Sequence, residues 1–133
     1  MGRVFFDIRE NIHNVSAAYD IIPSDSGKVF MIDATTGFNM NLPNASDAQQ
    51  GWYCKFYIKT AASTNVTISA TAGDGDNMLM QAHSLDGTDR QVTAADVLTF
   101  ASAEKGDFAE LICDGTSWYV NAWVADDGHV TLD

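Results

Sequence analysis

The sequence predicts an all-β protein: a single-domain antiparallel β-sandwich or barrel, jelly-roll-like, with an extended N-terminal arm. Three observations lead to this prediction. Apolar and polar residues alternate along short segments, which is the periodicity of half-buried strands. Turn residues separate these segments at intervals of roughly 8 to 12 residues, as in sandwiches and barrels. No segment of the 133-residue chain shows sustained helical periodicity.

The clearest element is a hairpin over residues 108–123, FAELICDGTSWYVNAW. Asp114-Gly115 tolerates the positive φ angles of a tight turn, although the sequence leaves the length of that turn open. Alternating residues on one face are predicted to enter the core: Ala109, Leu111, Cys113, Trp118, Val120 and Ala122. The other face of the second strand presents Tyr119, Asn121 and Trp123. A hairpin this apolar needs a second sheet over it.

A second strand with a clear period of two is predicted over residues 52–59. Its core face comprises Trp52, Cys54, Phe56 and Ile58. Its other face comprises Tyr53, Lys55, Tyr57 and Lys59, which suit solvent or a partner. Further strands are predicted at residues 19–22, 28–33, 38–42, 65–70, 96–102 and 129–132. The stretch 78–87 has no clear period, and no element is predicted there.

The chain divides by charge into an arm, residues 1–15, and a β-sandwich domain, residues 16–133. The arm is formally neutral, and the domain holds 16 acidic and 5 basic residues, hence all of the net charge of −11. The arm's apolar residues are Val4, Phe5, Phe6, Ile8 and Ile12. A neutral, apolar terminus on an acidic domain indicates either a segment that docks on a partner or an ordinary first strand of the sheet.

The acidity argues against two classes of partner. A protein with 18 acidic and 7 basic residues offers no basic patch for nucleic acid, and an anionic membrane would repel it. The N-terminus lacks the apolar core of a signal peptide, and no stretch approaches the ~20 apolar residues of a membrane span. The sequence therefore predicts neither nucleic-acid nor membrane binding.

No catalytic, cofactor or metal site is predicted. His13, His83 and His129 lie far apart in sequence, and no nucleophile-elbow motif is present. Cys54 and Cys113 fall on core phases, which favours two buried thiols over a disulfide. The loop with Asp74, Asp76 and Asn77 offers oxygens for Ca²⁺ but lacks EF-hand spacing, so an ordinary Asp-Gly turn is the favoured interpretation.

The aromatic residues opposite the core phase leave three alternatives open: a subunit interface, sugar stacking, or burial in a two-sided core. Interface and core are favoured. The predicted capsid or subunit interface comprises Val4, Phe5, Phe6, Ile8, Ile12, Tyr53, Tyr57 and Trp123. The predicted core comprises Trp52, Cys54, Phe56, Ile58, Leu111, Cys113, Trp118 and Val120.

Short motifs follow one another along residues 19–123. They are SDSGKVF at 24–30, NLP at 41–43, GWY at 51–53, VTI at 66–68, GD at 73–74 and CDGTSWY at 113–119. In this order they resemble a β-domain of tailed-bacteriophage virion proteins, of the capsid decoration and head or tail fibre types. The resemblance implies a β-sandwich, often homotrimeric, with a structural or adhesive role and no catalytic residues.

The function expected from this resemblance is that of a capsid decoration (cement) protein, which binds the outside of a phage head and stabilises it. The domain begins almost at Met1, which favours a free-standing decoration protein over a fibre tip. Expected partners are the major capsid protein and further copies of this chain, as a homotrimer on the virion surface, after synthesis in the host cytoplasm. The alternative is a fibre tip or receptor-binding module that recognises host glycan. An enzyme acting on polysaccharide is the least supported.

Overall fold

A computed structural model describes residues 9–70 and 78–133 of the chain. Its strands are β1 (Asn11–Val15), β2 (Tyr19–Asp20), β3 (Lys28–Asp33), β4 (Asn39–Asn41), β5 (Tyr53–Thr60), β6 (Val66–Ser69), β7 (Met78–Ser84), β8 (Arg90–Ala95), β9 (Val97–Phe100), β10 (Phe108–Cys113), β11 (Trp118–Val124) and β12 (Val130–Leu132). Helical structure is limited to α1 (Ala45–Ala48) and two single 3₁₀ turns, Pro23–Asp25 and Asp127–His129, within the described ranges. The prediction of an all-β sandwich is confirmed.

Two sheets form the sandwich. The large sheet has seven strands in the order β1-β3-β5-β10-β11-β7-β8, and the small sheet has five in the order β12-β9-β6-β4-β2. Both are mixed, whereas the sequence predicted antiparallel, jelly-roll-like pairing. The parallel pairs are β1–β3, β3–β5, β7–β11, β2–β4 and β4–β6.

The parallel pairs have a simple cause. From β1 to β6 the chain alternates between the sheets, so that β1, β3 and β5 enter the large sheet and β2, β4 and β6 enter the small one. A strand that returns to the same sheet after crossing to the other runs in its original direction. Each intervening strand thus serves as the crossover connection that parallel neighbours require. Strand spacing in the sequence cannot distinguish this path from a series of hairpins.

The core lies between the sheets and is rich in aromatic rings. Phe30 and Phe56 stack with centroids 5.4 Å apart, and Trp52 meets Trp118 edge to face at 5.3 Å. The Trp52 indole N–H donates to the Pro23 carbonyl at 2.8 Å, which ties the core to the turn before β3. The eight residues assigned to the core from the sequence each expose 4% or less: Trp52, Cys54, Phe56, Ile58, Leu111, Cys113, Trp118 and Val120.

Cys54 and Cys113 are both buried, and no disulfide joins them. Burial raises the pKa of the Cys54 thiol well above its usual range, because the thiolate would lose its solvation. The Cys113 thiol lies 3.6 Å from the Ala45 carbonyl and accepts from the Gly115 N–H at 3.3 Å. Both cysteines are therefore buried parts of the core.

The hairpin of β10 and β11 ends at the pair Cys113 and Trp118, so its turn spans four residues, 114–117. The Asp114 carboxylate accepts from the backbone N–H groups of Ser117 at 2.7 Å and Thr116 at 2.8 Å. Gly115 has φ +98°, a left-handed conformation that favours glycine. The predicted turn residues thus close the hairpin by the expected chemistry.

Strand β1 includes residues that the sequence assigned to the arm. Asn11–Val15 pairs in parallel with β3 at one edge of the large sheet. His13 packs its ring against Tyr19 and Phe30, and Val15 is buried. These five residues therefore form a strand of the large sheet, as in the alternative of an ordinary first strand. Four predicted interface residues, Val4, Phe5, Phe6 and Ile8, lie outside the described residues, as does the Asp74 loop.

Strands β7 and β8 have no counterpart in the sequence prediction. In β7, Met78, Met80 and Ala82 are buried, so a period of two is present. Strand β7 lacks the β-branched and aromatic residues that are enriched in strands, and the exposed positions of β8 are Gln91, Thr93 and Ala94. Their strand character comes from pairing with β11 and with each other.

Candidate functional site

The side of the large sheet that faces away from the small sheet is its outer face. Several large apolar side chains are exposed there, each about half exposed: Ile12 50%, Tyr53 47%, Ile112 51%, Tyr119 46% and Trp123 48%. They alternate along their strands with the core residues described above. One contiguous face thus holds most of the exposed large apolar residues of the described chain.

The strand register arranges this face in rows that run across the strands. The polar row crosses β5, β10, β11, β7 and β8 and consists of Lys55, Glu110, Asn121, Gln81 and Gln91. Each member lies opposite the next on the neighbouring strand, so the side chains stand side by side. The row therefore presents a line of hydrogen-bonding groups about five strands wide.

Two further rows flank the polar row. The first flanking row lies nearer the hairpin turn and consists of Tyr53, Ile112, Tyr119, Leu79 and Thr93. The second flanking row consists of Tyr57, Phe108, Trp123 and His83. Rings in the second row stack in pairs, Tyr57 on Phe108 at 5.0 Å and His83 on Trp123 at 4.6 Å. The polar row is thus flanked on both sides by rows of mostly apolar side chains.

These rows line a groove of about 730 Å³, formed by the polar row, the first flanking row and His83. Buried core residues of β5, β7, β10 and β11, together with the partly buried Val92 of β8, form its floor. Its volume falls within the ~300–1,000 Å³ typical of small-molecule sites. We call it the outer groove.

The hairpin turn orients one wall of the outer groove. The Tyr119 hydroxyl donates to Asp114 Oδ2 at 2.9 Å, and this hydrogen bond to a carboxylate raises the pKa of Tyr119. The Ser117 and Thr116 backbone N–H groups, followed by Tyr119, lower the pKa of Asp114 to about 2. Asp114 stays charged at neutral pH and holds the Tyr119 ring in one orientation.

The charges of the outer groove are few and nearly balanced. Lys55 lies 3.5 Å from Glu10 and opposite Glu110 on the neighbouring strand. The other three members of the polar row are neutral amides. The groove therefore offers several hydrogen-bond donors and acceptors with little net charge.

The three rows combine amide and aromatic side chains with one carboxylate, that of Glu110. The rows offer amide and aromatic contacts, which can hold a ligand in place.

The predicted interface residues meet on one face as far as the structure describes them. Tyr53, Tyr57 and Trp123 lie on the outer face, and Ile12 lies at its edge on β1. Sequence reasoning missed Ile112, which alternates with the core residue Leu111 and was therefore detectable. It also missed Leu79, Gln81 and Gln91, because β7 and β8 were not recognised.

The three histidines occupy separate environments. His13 packs in the sandwich near β2, and His83 stacks on Trp123. His129 Nδ1 lies 2.8 Å from Asp107 Oδ2, and that buried carboxylate also accepts from the Ala125 N–H at 2.8 Å. The His129–Asp107 pair thus ties the C-terminal segment to the turn before β10.

One acidic cluster also comes together outside the outer face. Carboxylate oxygens of Asp86, Asp126 and Asp127 lie within 4.8 Å of one another. Asp127 accepts from Arg90 at 2.9 Å, and Asp126 accepts from the Gly128 N–H at 2.9 Å. Asp86 accepts from the Ser84 hydroxyl and from the Thr88 N–H at 2.9 Å, so contacts with the protein account for the arrangement of all three carboxylates.

In comparisons with known proteins, no family model matches the chain. A search of curated proteins finds no significant match. Among the residues described, no helix has the length and apolar character needed to cross a membrane. Fold and site together define a mixed β-sandwich with a ligand-sized groove on one sheet.

Proposed function

We propose that this chain is a virion structural protein, a capsid decoration protein that binds the outside of a phage head and stabilises it. The resemblance of the motif order to that of phage β-domains supports the proposal, as does the β-sandwich fold. The observation that carries it is the position of β1. This strand is an edge of the large sheet and directly follows the apolar arm.

An edge strand is a natural place for attachment. One side of β1 pairs with β3, and among the described residues no strand pairs with its other side, whose backbone N–H and C=O groups can bind a further strand. Ile12 is half exposed on the same strand. A capsid protein or a neighbouring copy can therefore add a strand here while the arm covers an apolar surface.

The energetics of the arm favour several copies acting together. Burial of Phe5 and Phe6 contributes roughly 1.5–3 kcal/mol each. Ordering the arm costs ~1–2 kcal/mol of backbone entropy per residue. A single arm is therefore a weak anchor, and a homotrimer that presents three arms to the major capsid protein gains from multivalency.

Deletion of residues 1–8 tests this mechanism and leaves β1 intact. We expect the truncated protein to keep its melting temperature and to lose occupancy on purified heads that lack the protein. Ile22→Ala, an exposed apolar change remote from β1 in sequence, serves as the control and should bind heads fully. Full occupancy by the truncated protein would exclude the arm as anchor. A monomer both in solution and on heads would exclude the multivalent mechanism.

A receptor-binding module that recognises host glycan is the second candidate, and the outer groove favours it. Copy number separates the two candidates: a decoration protein covers the head in many copies, whereas a receptor-binding tip is present in a handful. Quantitative protein analysis of purified particles measures this directly.

A further inference from the structure

We propose that the outer groove binds an uncharged glycan chain that lies along the polar row. This inference concerns the strands that line the groove, β5, β7, β8, β10 and β11, and does not depend on how β1 or residues 1–8 attach to a partner. It therefore holds whether the protein covers a head or forms a fibre tip.

The dimensions of the groove suit a chain rather than a single sugar. The polar row crosses five neighbouring strands, which spans roughly 19 Å at the usual strand spacing of about 4.8 Å. A groove of about 730 Å³ along this line accepts an extended oligomer. Successive units of such a ligand would each contact a hydrogen-bonding side chain on successive strands.

The chemistry of the rows matches that of a sugar ring. Sugar hydroxyls both donate and accept hydrogen bonds, and so do the side-chain amides of Asn121, Gln81 and Gln91. Glu110 adds an acceptor, and Lys55 adds donors. The C–H faces of a sugar pack on aromatic rings, whose faces carry negative charge. Tyr53 and Tyr119 provide such rings beside the polar row, and the Asp114 hydrogen bond holds Tyr119 in position before any ligand binds.

A protein partner fits the groove less well. The core of a protein interface is depleted of charged residues, yet Lys55 and Glu110 lie in the row along the groove. A second copy that used the same face would place one concave surface against another. It would also bury amides without assured partners, at about 1–3 kcal/mol for each unsatisfied group. A hydroxyl-rich chain satisfies these amides.

Charge determines which glycans are accepted. The protein carries a net charge of −11, and Glu110 lies within the groove. Lys55, the cation of the polar row, already lies 3.5 Å from Glu10. Sulfated, carboxylated or sialylated chains would therefore be repelled, whereas uncharged hexose and N-acetylhexosamine chains would not.

Binding to a panel of immobilised oligosaccharides tests the proposal, with titration calorimetry on the ligands that bind. The panel contains uncharged chains of hexoses, N-acetylhexosamines and deoxyhexoses beside their sulfated and sialylated counterparts. The full chain should bind one or more uncharged chains and prefer them to the charged forms. Binding to no uncharged chain, or a preference for the charged forms, would overturn the proposal.

Matched variants locate the binding. Asn121→Ala and Gln81→Ala should each weaken binding by tenfold or more, while Asn11→Ala, an exposed strand position outside the groove, should leave it unchanged. Melting temperatures should stay within a few degrees for all three because these side chains are exposed. Equal binding by all three variants would place the ligand elsewhere. Concentration-dependent dimerisation that Asn121→Ala abolishes, without glycan binding, would show a second copy as the occupant.

The deletion of residues 1–8 separates this inference from the decoration mechanism. The truncated protein should bind glycan as the full chain does, even where it no longer binds heads. Loss of glycan binding on truncation would contradict the assignment of the ligand to the outer groove.

Discussion

The two faces of the large sheet consist of side chains from the same strands, but one face is buried in the core and the other is exposed. On β11, Trp118, Val120 and Ala122 are buried in the sandwich, while Tyr119, Asn121 and Trp123 are exposed one residue away. On the inner face, aromatic side chains pack against one another in the core. The outer face arranges rings around a row of amides.

This difference shows that aromatic content alone does not identify a core. Trp118 exposes 0% of its surface and Trp123 exposes 48%, although only five positions separate them. The position of a ring in the two-residue period, together with a covering sheet, decides whether it stabilises the fold or offers a contact surface. Substitutions on the inner face should change stability, and those on the outer face should change binding.

The largest difference between the faces is expected for the two tryptophans. Trp118→Ala should reduce the free energy of unfolding by roughly 3–5 kcal/mol, because it leaves a cavity beside Trp52. This is a large share of a typical total of ~5–15 kcal/mol. Trp123→Ala should cost about 1 kcal/mol, the worth of one exposed ring stack on His83. Urea denaturation measures both, and equal costs would refute the division between the faces.

Neighbouring residues of β10 provide a sharper version of this test. Leu111 exposes 1% and Ile112 exposes 51%, on opposite faces of one strand. Leu111→Ala should cost roughly 2–5 kcal/mol. Ile112→Ala should cost clearly less, since much of its side chain already contacts water. A larger loss for Ile112→Ala would mean that the outer face is covered in solution by another copy.

The turn between β10 and β11 should make the stability of the protein depend on pH. The pKa of Asp114 is about 2 in the folded protein, against an ordinary 3.8. A lowered folded pKa contributes stability above pH about 4, and this is lost as the pH falls from about 4 to 2. Thermal unfolding at pH 4 and pH 2.5 should show a smaller loss for Asp114→Asn than for the unchanged protein. An identical loss would mean that Asp114 does not titrate differently in the folded state.

The last test compares thiol reactivity on the two faces and requires no change in the free energy of unfolding. Cys54 and Cys113 belong to the inner face and are buried, so a thiol reagent should modify neither until the protein is denatured. A cysteine introduced by Asn121→Cys on the outer face should react at once in the native protein. Modification of either natural thiol under native conditions would show that the inner face opens.

The parts of the fold that depend on local sequence patterns could be predicted from the sequence. The period of two in β5, β10 and β11 fixes which residues face inward, and Asp114-Gly115 marks the turn. The parallel pairing was not accessible, because it depends on a chain path that alternates between sheets. Strand β7 was not accessible either, because it lacks the β-branched and aromatic residues that are enriched in strands.

Only some residues of the candidate site could be predicted from the sequence. Tyr53, Tyr57 and Trp123 were identifiable as outward-facing aromatics along single strands. The polar row was not, since it forms only when β5, β10, β11, β7 and β8 lie side by side. Contacts between strands distant in sequence leave no periodic signal within any one of them.

The alternation of the first six strands between the sheets has a consequence for how the chain folds. None of β1, β3 or β5 has its sheet neighbour adjacent in the chain, so no early hairpin can nucleate this half of the sandwich. The hairpin of β10 and β11 is local, and β5 pairs with it directly. We expect the C-terminal hairpin to form first and the N-terminal strands to dock onto it through β5. Folding of this kind is slow, on the order of milliseconds to seconds, because segments distant in sequence must come together, at a cost in entropy, before stabilising contacts form. During synthesis β5 therefore lacks its partner strand β10 until residues 108–113 have been made.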